Sequence, residues 1–515
     1  MTAESKFSLE LKIVLVITSL VVIATSPTNA QGFQDFIARL NSLPSDQRQA
    51  VVDSFLATTS KYPIIEQDTI ANFVYAGNAN SVGVPGDANG WDPGPFSMTR
   101  VQGTTLWYFT RTFEADARLD YKFVVNGNNW ILDPRNPLTV SGGFGPNSEL
   151  RMPGYPPAPE VQYHPTIPHG SLLDTTWTSV NLGNSRTIRI YTPPGYAASA
   201  DSYSVIYVHD GLDFITLASA HNVLDYLTSE RKIEPVIGVF IPAVNRTAEY
   251  GGSSMPQFTR FMVEELVPYI DSRYRTKKNP ASRAVLGASS GGNISLWLGY
   301  QHPEVFGNIG AYSSSIVDSL SRGFSSSPRK DLTLYLDIGT YDISELIPLV
   351  RGFVPTLESK GYRYEYREYH EGHSWGSWRA HLDKCLELFF GTATSMGDLQ
   401  PGETVPHDLE LHQNYPNPFN PTTVVRYQLA AAADVRLAVY DLLGQEVAVL
   451  VNERRAPGSY EVTFNARQPG GQATGLASGV YLYRMTIHDT ESASPRDSRG
   501  GAGNFVQTRK MILVM

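Results

Sequence analysis

The segment Gly287-Ala-Ser-Ser-Gly291 restricts the fold of this chain more than any other. Ala284–Leu286 before it are apolar, as in a buried strand, and residues 293–300 after it have the apolar spacing of a helix. A serine at the tip of so sharp a strand-to-helix turn leaves no room for side chains two residues before and after it. We therefore predict that Ser289 projects from the carboxyl edge of a sheet. An ordinary Gly-Ser turn is the alternative.

The surrounding region, 160–392, alternates strand-like and helix-like segments, which predicts an α/β sheet covered by helices. Its clearest strands are rich in apolar and β-branched residues: Ser204–Val208, Val236–Phe240, Ala284–Leu286 and Leu332–Leu336.

The length of 515 residues suggests about three domains. A net charge of −9 without a long basic run argues against nucleic acid as a partner. Cys385 is the only cysteine, so an intrachain disulfide cannot form, and we expect this thiol to pack in a core helix.

Residues 1–30 have the features of a secretory signal peptide. Lys6 and Lys12 precede a short apolar run, and Thr28-Asn-Ala30 offers a small-residue cleavage site. An uncleaved anchor is the alternative. No other segment is apolar enough to cross a bilayer, so we expect no stable membrane span in the mature protein.

The flanking regions differ in character from the α/β region. We predict helices over 31–70, since Phe33, Phe36, Ile37 and Leu40 share one face and a second helix opens after Pro44. Strand-like runs between Gly, Pro and Asn turns predict a β-sandwich over 71–152. Proline-rich residues 153–159 and residues 393–411 are predicted linkers, and 412–515 are predicted to be all-β.

Two further residues downstream of Ser289 complete a candidate catalytic set. A serine hydroxyl needs a base to accept its proton and an acid to orient that base. Asp342 follows the end of a predicted strand and is the favoured acid, with Asp337, inside that strand, as the competitor. His373 follows a glycine in a strand-to-helix loop and is the favoured base, while His370 is predicted to be structural.

An oxyanion site needs two preorganised N–H donors. The backbone amide of Ser290 is one candidate. The second is the amide of Leu212 in the loop after the strand Ser204–Val208, with Gly211 as its alternative.

These motifs resemble the enterochelin esterase-like family, which grades into feruloyl and acetyl esterases and formylglutathione hydrolases. The resemblance covers about 160–392. It is carried by Gly287–Gly292, Gly339-Thr-Tyr-Asp342, Gly372-His-Ser-Trp375, Trp378-Arg379, Asn245–Tyr250 and Phe261–Pro268. It implies an α/β-hydrolase core and serine ester hydrolysis without a metal or organic cofactor.

Around this core, Arg246 and Glu249 are candidate substrate-binding residues, with a surface ion pair as the alternative. Trp375 is a candidate wall of an acyl pocket, or it packs the last helix, and for Trp378 packing is favoured.

The region 71–152 resembles glycogen-binding carbohydrate modules, which are immunoglobulin-like. The motifs are Gly86-Asp-Ala-Asn-Gly-Trp91, Tyr121–Val125, Gly127-Asn-Asn-Trp130 and Asp133–Pro137. The resemblance implies that Trp91 and Trp130 stack on sugar rings and that Lys122 assists. A role in packing against the active site is favoured over sugar binding, because many enzymes carry this domain as a lid.

Residues 412–515 resemble the C-terminal sorting domain of the Bacteroidetes-type type IX secretion system. The motifs are Asn414–Pro421, Val439–Gly444, Pro457–Tyr460, Ala477–Tyr483 and Thr508–Met511, with a polar insertion around 491–504 as a departure. The resemblance implies passage through the periplasm and recognition by the type IX machinery. A small glycan-binding sandwich is the alternative.

The fold class expected from the sequence is therefore multidomain: an α/β-hydrolase core flanked by an N-terminal and a C-terminal β-sandwich. The expected function is secreted serine ester hydrolysis through Ser289, His373 and Asp342, on a glycan-linked feruloyl or acetyl ester or a similar one. A siderophore esterase and a non-catalytic surface glycan-binding protein are the alternatives, and a serine peptidase on the same fold has less support.

Overall fold

The computed structural model describes residues 32–392 and 410–514, apart from 415, 430–432, 456–457, 468–474 and 489–504. The predicted signal peptide, most of the predicted linker 393–411 and the polar insertion around 491–504 lie outside the described residues. Among the described helices, none is long and apolar enough to cross a membrane.

The N-terminal part begins with two helices, α1 (Phe33–Ser42) and α2 (Ser45–Thr58). Phe33, Ile37 and Leu40 are buried on one face of α1, which confirms the predicted helical face. Helix does not continue to residue 70, because Ile64–Glu66 already form a strand. Pro63 precedes this strand and lacks the N–H that a continuing helix would need.

Ten strands follow, most of them short: β1 (Ile64–Glu66), β2 (Ile70–Ala76), β3 (Val82–Gly83), β4 (Thr99–Arg100), β5 (Leu106–Thr112), β6 (Arg118–Tyr121), β7 (Phe123–Val125), β8 (Asn129–Ile131), β9 (Thr139–Gly142) and β10 (Gly145–Arg151). One sheet has the order β1-β2-β5-β4 and another has the order β3-β7-β8. The remaining three, β6, β9 and β10, belong to a much larger sheet. We call residues 64–151 the N-terminal β unit.

The central part alternates strands and helices. Its strands are β11 (Ser171–Ser179), β12 (Asn184–Thr192), β13 (Ser204–His209), β14 (Val236–Ile241), β15 (Arg283–Ala288), β16 (Asn308–Tyr312), β17 (Thr333–Tyr341) and β18 (Arg363–Gly372). Its helices are α3 (Gly211–Thr216), α4 (Ala220–Ser229), α5 (Arg246–Tyr250), α6 (Met255–Arg260), α7 (Val267–Arg273), α8 (Ser290–Gln301), α9 (Asp318–Ser326), α10 (Leu346–Ser359), α11 (Trp375–Ala380) and α12 (Leu382–Phe390), and a π-helical segment (Phe261–Leu266) joins α6 to α7. The four strands named from the sequence are confirmed.

The strands of the central part form one sheet of order β11-β12-β14-β13-β15-β16-β17-β18, in which the pairs from β14 to β18 are parallel. Along β13, Val205 and Tyr207 join the apolar cluster on one face, whereas Ile206 and Val208 join the cluster on the other. Because both faces are buried, the parallel strands are continuously apolar, as expected for a sheet covered by helices.

This sheet continues into the N-terminal β unit. Strand β18 pairs with β6 through Glu371 and Arg118, and β10 and β9 follow, so the complete sheet has eleven strands. The chain leaves β18 directly into the loop that carries His373. The N-terminal β unit therefore borders the strand that presents the candidate base.

The C-terminal residues that the structure describes are all-β. Their strands are β19 (Glu410–Leu411), β20 (Thr422–Leu429), β21 (Ala433–Tyr440), β22 (Glu446–Arg455), β23 (Gly458–Asn465), β24 (Gly479–His488) and β25 (Phe505–Leu513). They form one sheet of order β19-β20-β23 and another of order β22-β21-β24-β25, with an apolar cluster that includes Val425, Leu437, Phe464 and Tyr483.

Candidate active site

The candidate catalytic groups lie at one edge of the central sheet. Each of five strands is followed directly by one such residue: β13 by Asp210, β15 by Ser289, β16 by Ser313, β17 by Asp342 and β18 by His373. These five strands are consecutive neighbours in the sheet and are parallel. Their carboxyl ends therefore meet at the same edge, where ligands of such sheets bind.

Ser289 occupies the strained turn expected of an exposed nucleophile. Its φ of 58° and ψ of −121° lie outside the regions that non-glycine residues favour. A Cβ on Gly287 would lie 2.5 Å from the carbonyl of Gly291, so the turn excludes a side chain there. The N–H of Ser289 donates to the carbonyl of Tyr312 (2.8 Å), which ties the turn to the end of β16.

The structure brings the predicted acid and base into contact. His373 Nδ1 lies 2.7 Å from Asp342 Oδ1, which also accepts a bond from the N–H of Ile343 (2.7 Å). The other oxygen, Oδ2, accepts a bond from the hydroxyl of Ser313 (2.7 Å). The Asp342 side chain is fully buried, whereas that of His373 is 20% exposed. A carboxylate held at both oxygens fixes the orientation of the imidazole and leaves Nε2 as its remaining base.

The pairing of β17 with β18 is irregular just before Asp342. The pairing of β17 with β18 shifts register between Gly339 and Tyr341. A Cβ on Gly339 would lie 2.1 Å from the carbonyl of Glu371, so glycine is needed where the two strands approach. A local break in strand pairing, as at a β-bulge, can redirect the side chains beside it.

The two competing residues lie elsewhere. Asp337 is buried inside β17 and accepts a bond from the N–H of Ser313 (3.2 Å). Burial raises the pKa of Asp337 to about 7, with smaller contributions from its neighbours. His370 Nδ1 lies 2.7 Å from the carboxylate of Asp116 in the N-terminal β unit. Neither residue contacts the Asp342–His373 pair by a hydrogen bond.

The two candidate oxyanion amides both lie in first turns of helices. Ser290 opens α8, and Leu212 is the second residue of α3. First-turn amides have no acceptor within their own helix, so they remain available to a ligand. A Cβ on Gly211 would lie 2.3 Å from the backbone of β14, which explains the glycine at the start of α3.

Arg246 links Asp210, just before α3, to the turn at Ser289. Its Nε donates to both carboxylate oxygens of Asp210 (3.1 and 2.9 Å), and its Nη2 donates to the carbonyl of Ala288 (3.1 Å). The N–H of Asp210 in turn donates to the hydroxyl of Tyr250 (3.1 Å). The guanidinium of Arg246 is therefore hydrogen-bonded to the backbone of Ala288, directly before Ser289.

Glu249 does not reach the site, and its assignment as a candidate substrate-binding residue is wrong. Its side chain is 2% exposed and forms a two-pronged ion pair with Arg186 (3.0 and 3.1 Å), not with Arg246. The alternative of a surface ion pair is wrong as well, because this pair is buried. Loss of either partner of this buried pair would leave the other charge uncompensated, so Glu249 is committed to Arg186.

Trp375 and Trp378 pack edge-on with ring centres 5.0 Å apart. Trp378 is buried, donates its indole N–H to Ser313 Oγ (3.1 Å) and lies perpendicular to the ring of His373. The packing role predicted for Trp378 is confirmed. Trp375 is half-buried and contacts Phe214 in α3 edge-on at 5.1 Å, so it lies between α3 and the loop that carries His373.

Ser313 and Asp210 are residues of the candidate site that the sequence analysis does not single out. Ser313 Oγ accepts a hydrogen bond from the indole N–H of Trp378 and donates one to Asp342. The carboxylate of Asp210 accepts a hydrogen bond from Arg246. Both directly follow apolar runs that become parallel strands, which was the available signal. In the described part of the chain, His, Cys, Asp and Glu side chains nowhere group in threes suited to hold a metal ion.

Residues 179–389 match the family model described as "Putative esterase". The protein is an esterase. Over 163 residues this esterase is 28% identical to the endo-1,4-beta-xylanase/feruloyl esterase of Xylanibacter ruminicola, covering 29% of the chain and 22% of that relative. Over 248 residues it is 27% identical to the iron(III) enterobactin esterase of Escherichia coli O6:H1, covering 43% of the chain and 61% of that relative. The chain thus matches less than two thirds of either relative.

Among solved structures, the esterase is similar to the enterobactin esterase from Shigella flexneri, with a TM-score of 0.56 and 22% identity. The superposition covers 65% of this chain and 97% of that one. At this identity the likeness concerns the fold alone. It supports an α/β-hydrolase core with additional β-rich regions.

The esterase has a buried charged junction between its N-terminal β unit and the loop that carries His373. Arg118 Nη1 donates to Ser374 Oγ (2.9 Å), and its Nη2 pairs with Asp120 (2.6 Å) and Glu149 (3.0 Å). Although burial opposes its charge, these two carboxylates raise the pKa of Arg118. A Cβ on Gly376 would collide with the guanidinium, so glycine makes room for it.

Trp91, Lys122 and Trp130 lie in the N-terminal β unit of the esterase. The indole N–H of Trp91 donates to Asp87 (3.1 Å), whose carboxyl group packs against the backbone of Gly372. Trp91 is thus tied to the junction. Trp130 on β8 is 46% exposed, and Lys122, between β6 and β7, is half-buried. Sugar binding by these residues stays a prediction.

Proposed function

We propose that the esterase hydrolyses its substrate through a Ser289–His373–Asp342 triad and an acyl-enzyme. Ser289 Oγ attacks the ester carbonyl while His373 Nε2 takes its proton, and the alcohol leaves with that proton. Water then attacks the acyl group by the same route, which restores Ser289. The amides of Ser290 and Leu212 receive the oxyanion in both steps, and each such donor contributes about 3–4 kcal/mol to the lowering of the barrier.

The Asp342–His373 hydrogen bond is the observation that carries this proposal. Asp342 accepts the Nδ1 proton of His373, which stabilises the tautomer with a basic Nε2. Ser289 follows β15 and Asp342 follows β17. Strand β16 lies between these two strands, and Ser313 at its end donates a hydrogen bond to Asp342. This arrangement favours ester hydrolysis over a non-catalytic glycan-binding function.

A fluorophosphonate probe tests the proposal directly. We expect wild-type protein to be labelled and Ser289→Ala to be unlabelled and inactive. Ser325→Ala, at an exposed serine of α9, is the control that should keep full labelling. Labelling of Ser289→Ala equal to wild type, or folded wild type that resists the probe, would contradict the proposed nucleophile.

We further propose that the substrate is an ester attached to a polysaccharide, of the feruloyl or acetyl type. The partial identity to a xylanase/feruloyl esterase and the resemblance of 71–152 to carbohydrate modules support this choice. Siderophore esters are the second candidate, supported by the identity to an enterobactin esterase. Parallel assays on feruloylated arabinoxylan, acetyl-xylan and a siderophore lactone separate the candidates by their kcat/KM.

We propose that the protein is secreted, with 1–30 as its signal peptide and 412–515 as its type IX sorting domain. The motifs quoted from the sequence support this proposal. In a host with that system, full-length protein should reach the surface or the medium, and a chain lacking 412–515 should stay in the periplasm. Equal export of both chains would contradict the assignment.

A further inference from the structure

The hairpin β9–β10 of the N-terminal β unit ends in a two-residue loop, Gly143-Phe144. Gly142 pairs with Gly145, so the loop is as short as a hairpin allows. Phe144 is fully exposed, with a relative accessible area of 104%. A single exposed aromatic residue needs no explanation by itself, so its neighbourhood decides its meaning.

The tip of this hairpin lies against the active site. A Cβ on Gly143 would be 3.7 Å from Nε1 of Trp375, and β9 packs against α11. Trp375 lies two residues after His373 and contacts Phe214 of α3, the helix that carries the Leu212 amide. The residue next to Gly143 in the loop is Phe144. Phe144, whose side chain is fully exposed, is therefore the sequence neighbour of a residue that lies beside Trp375.

The hairpin is held firmly in this place. Glu149 in β10 pairs with the buried Arg118, which also binds Ser374 in the base loop. Asn147 in the same strand donates to Asp120 (2.9 Å). Because the same buried charges hold β10 and the base loop, the hairpin tip keeps its position relative to His373.

We propose that Phe144 determines substrate specificity and forms, together with Trp375, a subsite for an aromatic ring of the ester substrate. This proposal rests on the proposed function of the site. A ring placed against two aromatic side chains gains stacking or edge contacts in addition to its buried area. An acetyl ester of a small alcohol has no ring to make such contacts, so the subsite favours aromatic esters. The ring belongs either to the acyl group or to the alcohol, and the experiment distinguishes these.

The test compares Phe144→Ala, Phe144→Leu and Phe144→Trp with wild type on three esters. They are methyl ferulate with an aromatic acyl group, phenyl acetate with an aromatic alcohol, and methyl acetate with neither. We expect Phe144→Ala to lower kcat/KM about threefold to tenfold for one aromatic ester, and Phe144→Leu to lower it less. Phe144→Trp should retain it, and methyl acetate should be hydrolysed equally by all variants.

The pattern of losses decides the outcome. A loss confined to methyl ferulate places the ring on the acyl side, and a loss confined to phenyl acetate places it on the alcohol side. An unchanged kcat/KM for all three esters, or an equal fall for all three, overturns the subsite. Val180→Ala, at a 92% exposed residue between β11 and β12, is the control for surface truncation. If wild type instead hydrolyses no ester and resists the fluorophosphonate probe, the proposed function itself fails.

Discussion

Arg118 of the N-terminal β unit donates a 2.9 Å hydrogen bond to Ser374, the residue that follows His373. Ser374 is also the N-cap of α11, where its side chain accepts a bond from the N–H of Ser377. The candidate base is therefore held from both sides: Asp342 orients its ring, and a distant part of the chain anchors its backbone. The N-terminal β unit therefore contributes strands to the central sheet and a hydrogen bond to the loop that carries His373.

Removing this anchor should reduce turnover more than binding. Ser374→Ala deletes both the acceptor of Arg118 and the helix cap, so His373 should sample wrong orientations. We expect kcat to fall about tenfold with KM within about twofold, and Ser374→Thr, which retains the hydroxyl, to restore most of kcat. A rise in KM at constant kcat would instead indicate that Ser374 acts in substrate binding.

Asp342→Asn should nearly abolish activity, because an amide in this place favours the wrong imidazole tautomer. The loss expected for such a change in a serine triad is about 10⁴-fold in kcat. Asp337→Asn, on the same strand, is the matched control and should keep kcat within about threefold at pH 7. Should the two variants behave in the opposite way, Asp337 would be the triad acid.

The buried carboxyl of Asp337 predicts a pH dependence of stability. Burial raises its pKa in the folded state from 3.8 to about 7, so the folded protein binds this proton more tightly than the unfolded chain. This stabilising contribution is present below about pH 4 and is lost as the pH rises through 7. The side chain of Asp337→Asn stays neutral at every pH. Its unfolding free energy should therefore exceed that of wild type increasingly from pH 5 to pH 8, by up to about 4 kcal/mol, and its Tm should be higher accordingly. A difference in Tm that does not change with pH would contradict this account.

Two glycine variants test the strained turn. Gly287→Ala places a Cβ 2.5 Å from the carbonyl of Gly291, between backbones that cannot move apart without distorting the elbow. We expect a loss of about 3 kcal/mol or more in unfolding free energy, together with loss of activity. Gly352→Ala, in the middle of α10 with open space around it, should instead stabilise the protein by about 0.5–1 kcal/mol. Denaturant unfolding of both variants measures the contrast, and equal effects would argue against the close approach.

Local patterns were sufficient for most of the elements and for the pairing of Asp342 with His373. The apolar runs became the predicted strands because their alternate residues, such as Val205 and Ile206, face two separate buried clusters. Glu249 was assigned incorrectly because its partner, Arg186, lies on a strand far away in the chain. The sequence predicts helix past residue 58, but the pairing of β1 with β2 decides that segment, and no local pattern indicates such pairing.

The sequence by itself determined the strand-to-helix turn around Ser289 and the order of Ser289, Asp342 and His373, because turn sterics and strand periodicity are local properties. Only the tertiary structure decided which groups support them. Ser313 reaches Asp342, Arg246 reaches Asp210, and the N-terminal β unit extends the sheet beyond β18. These contacts join residues distant along the chain, and burial strengthens their hydrogen bonds and ion pairs. Their existence depends on which surfaces pack together, and sequence spacing carries no record of that.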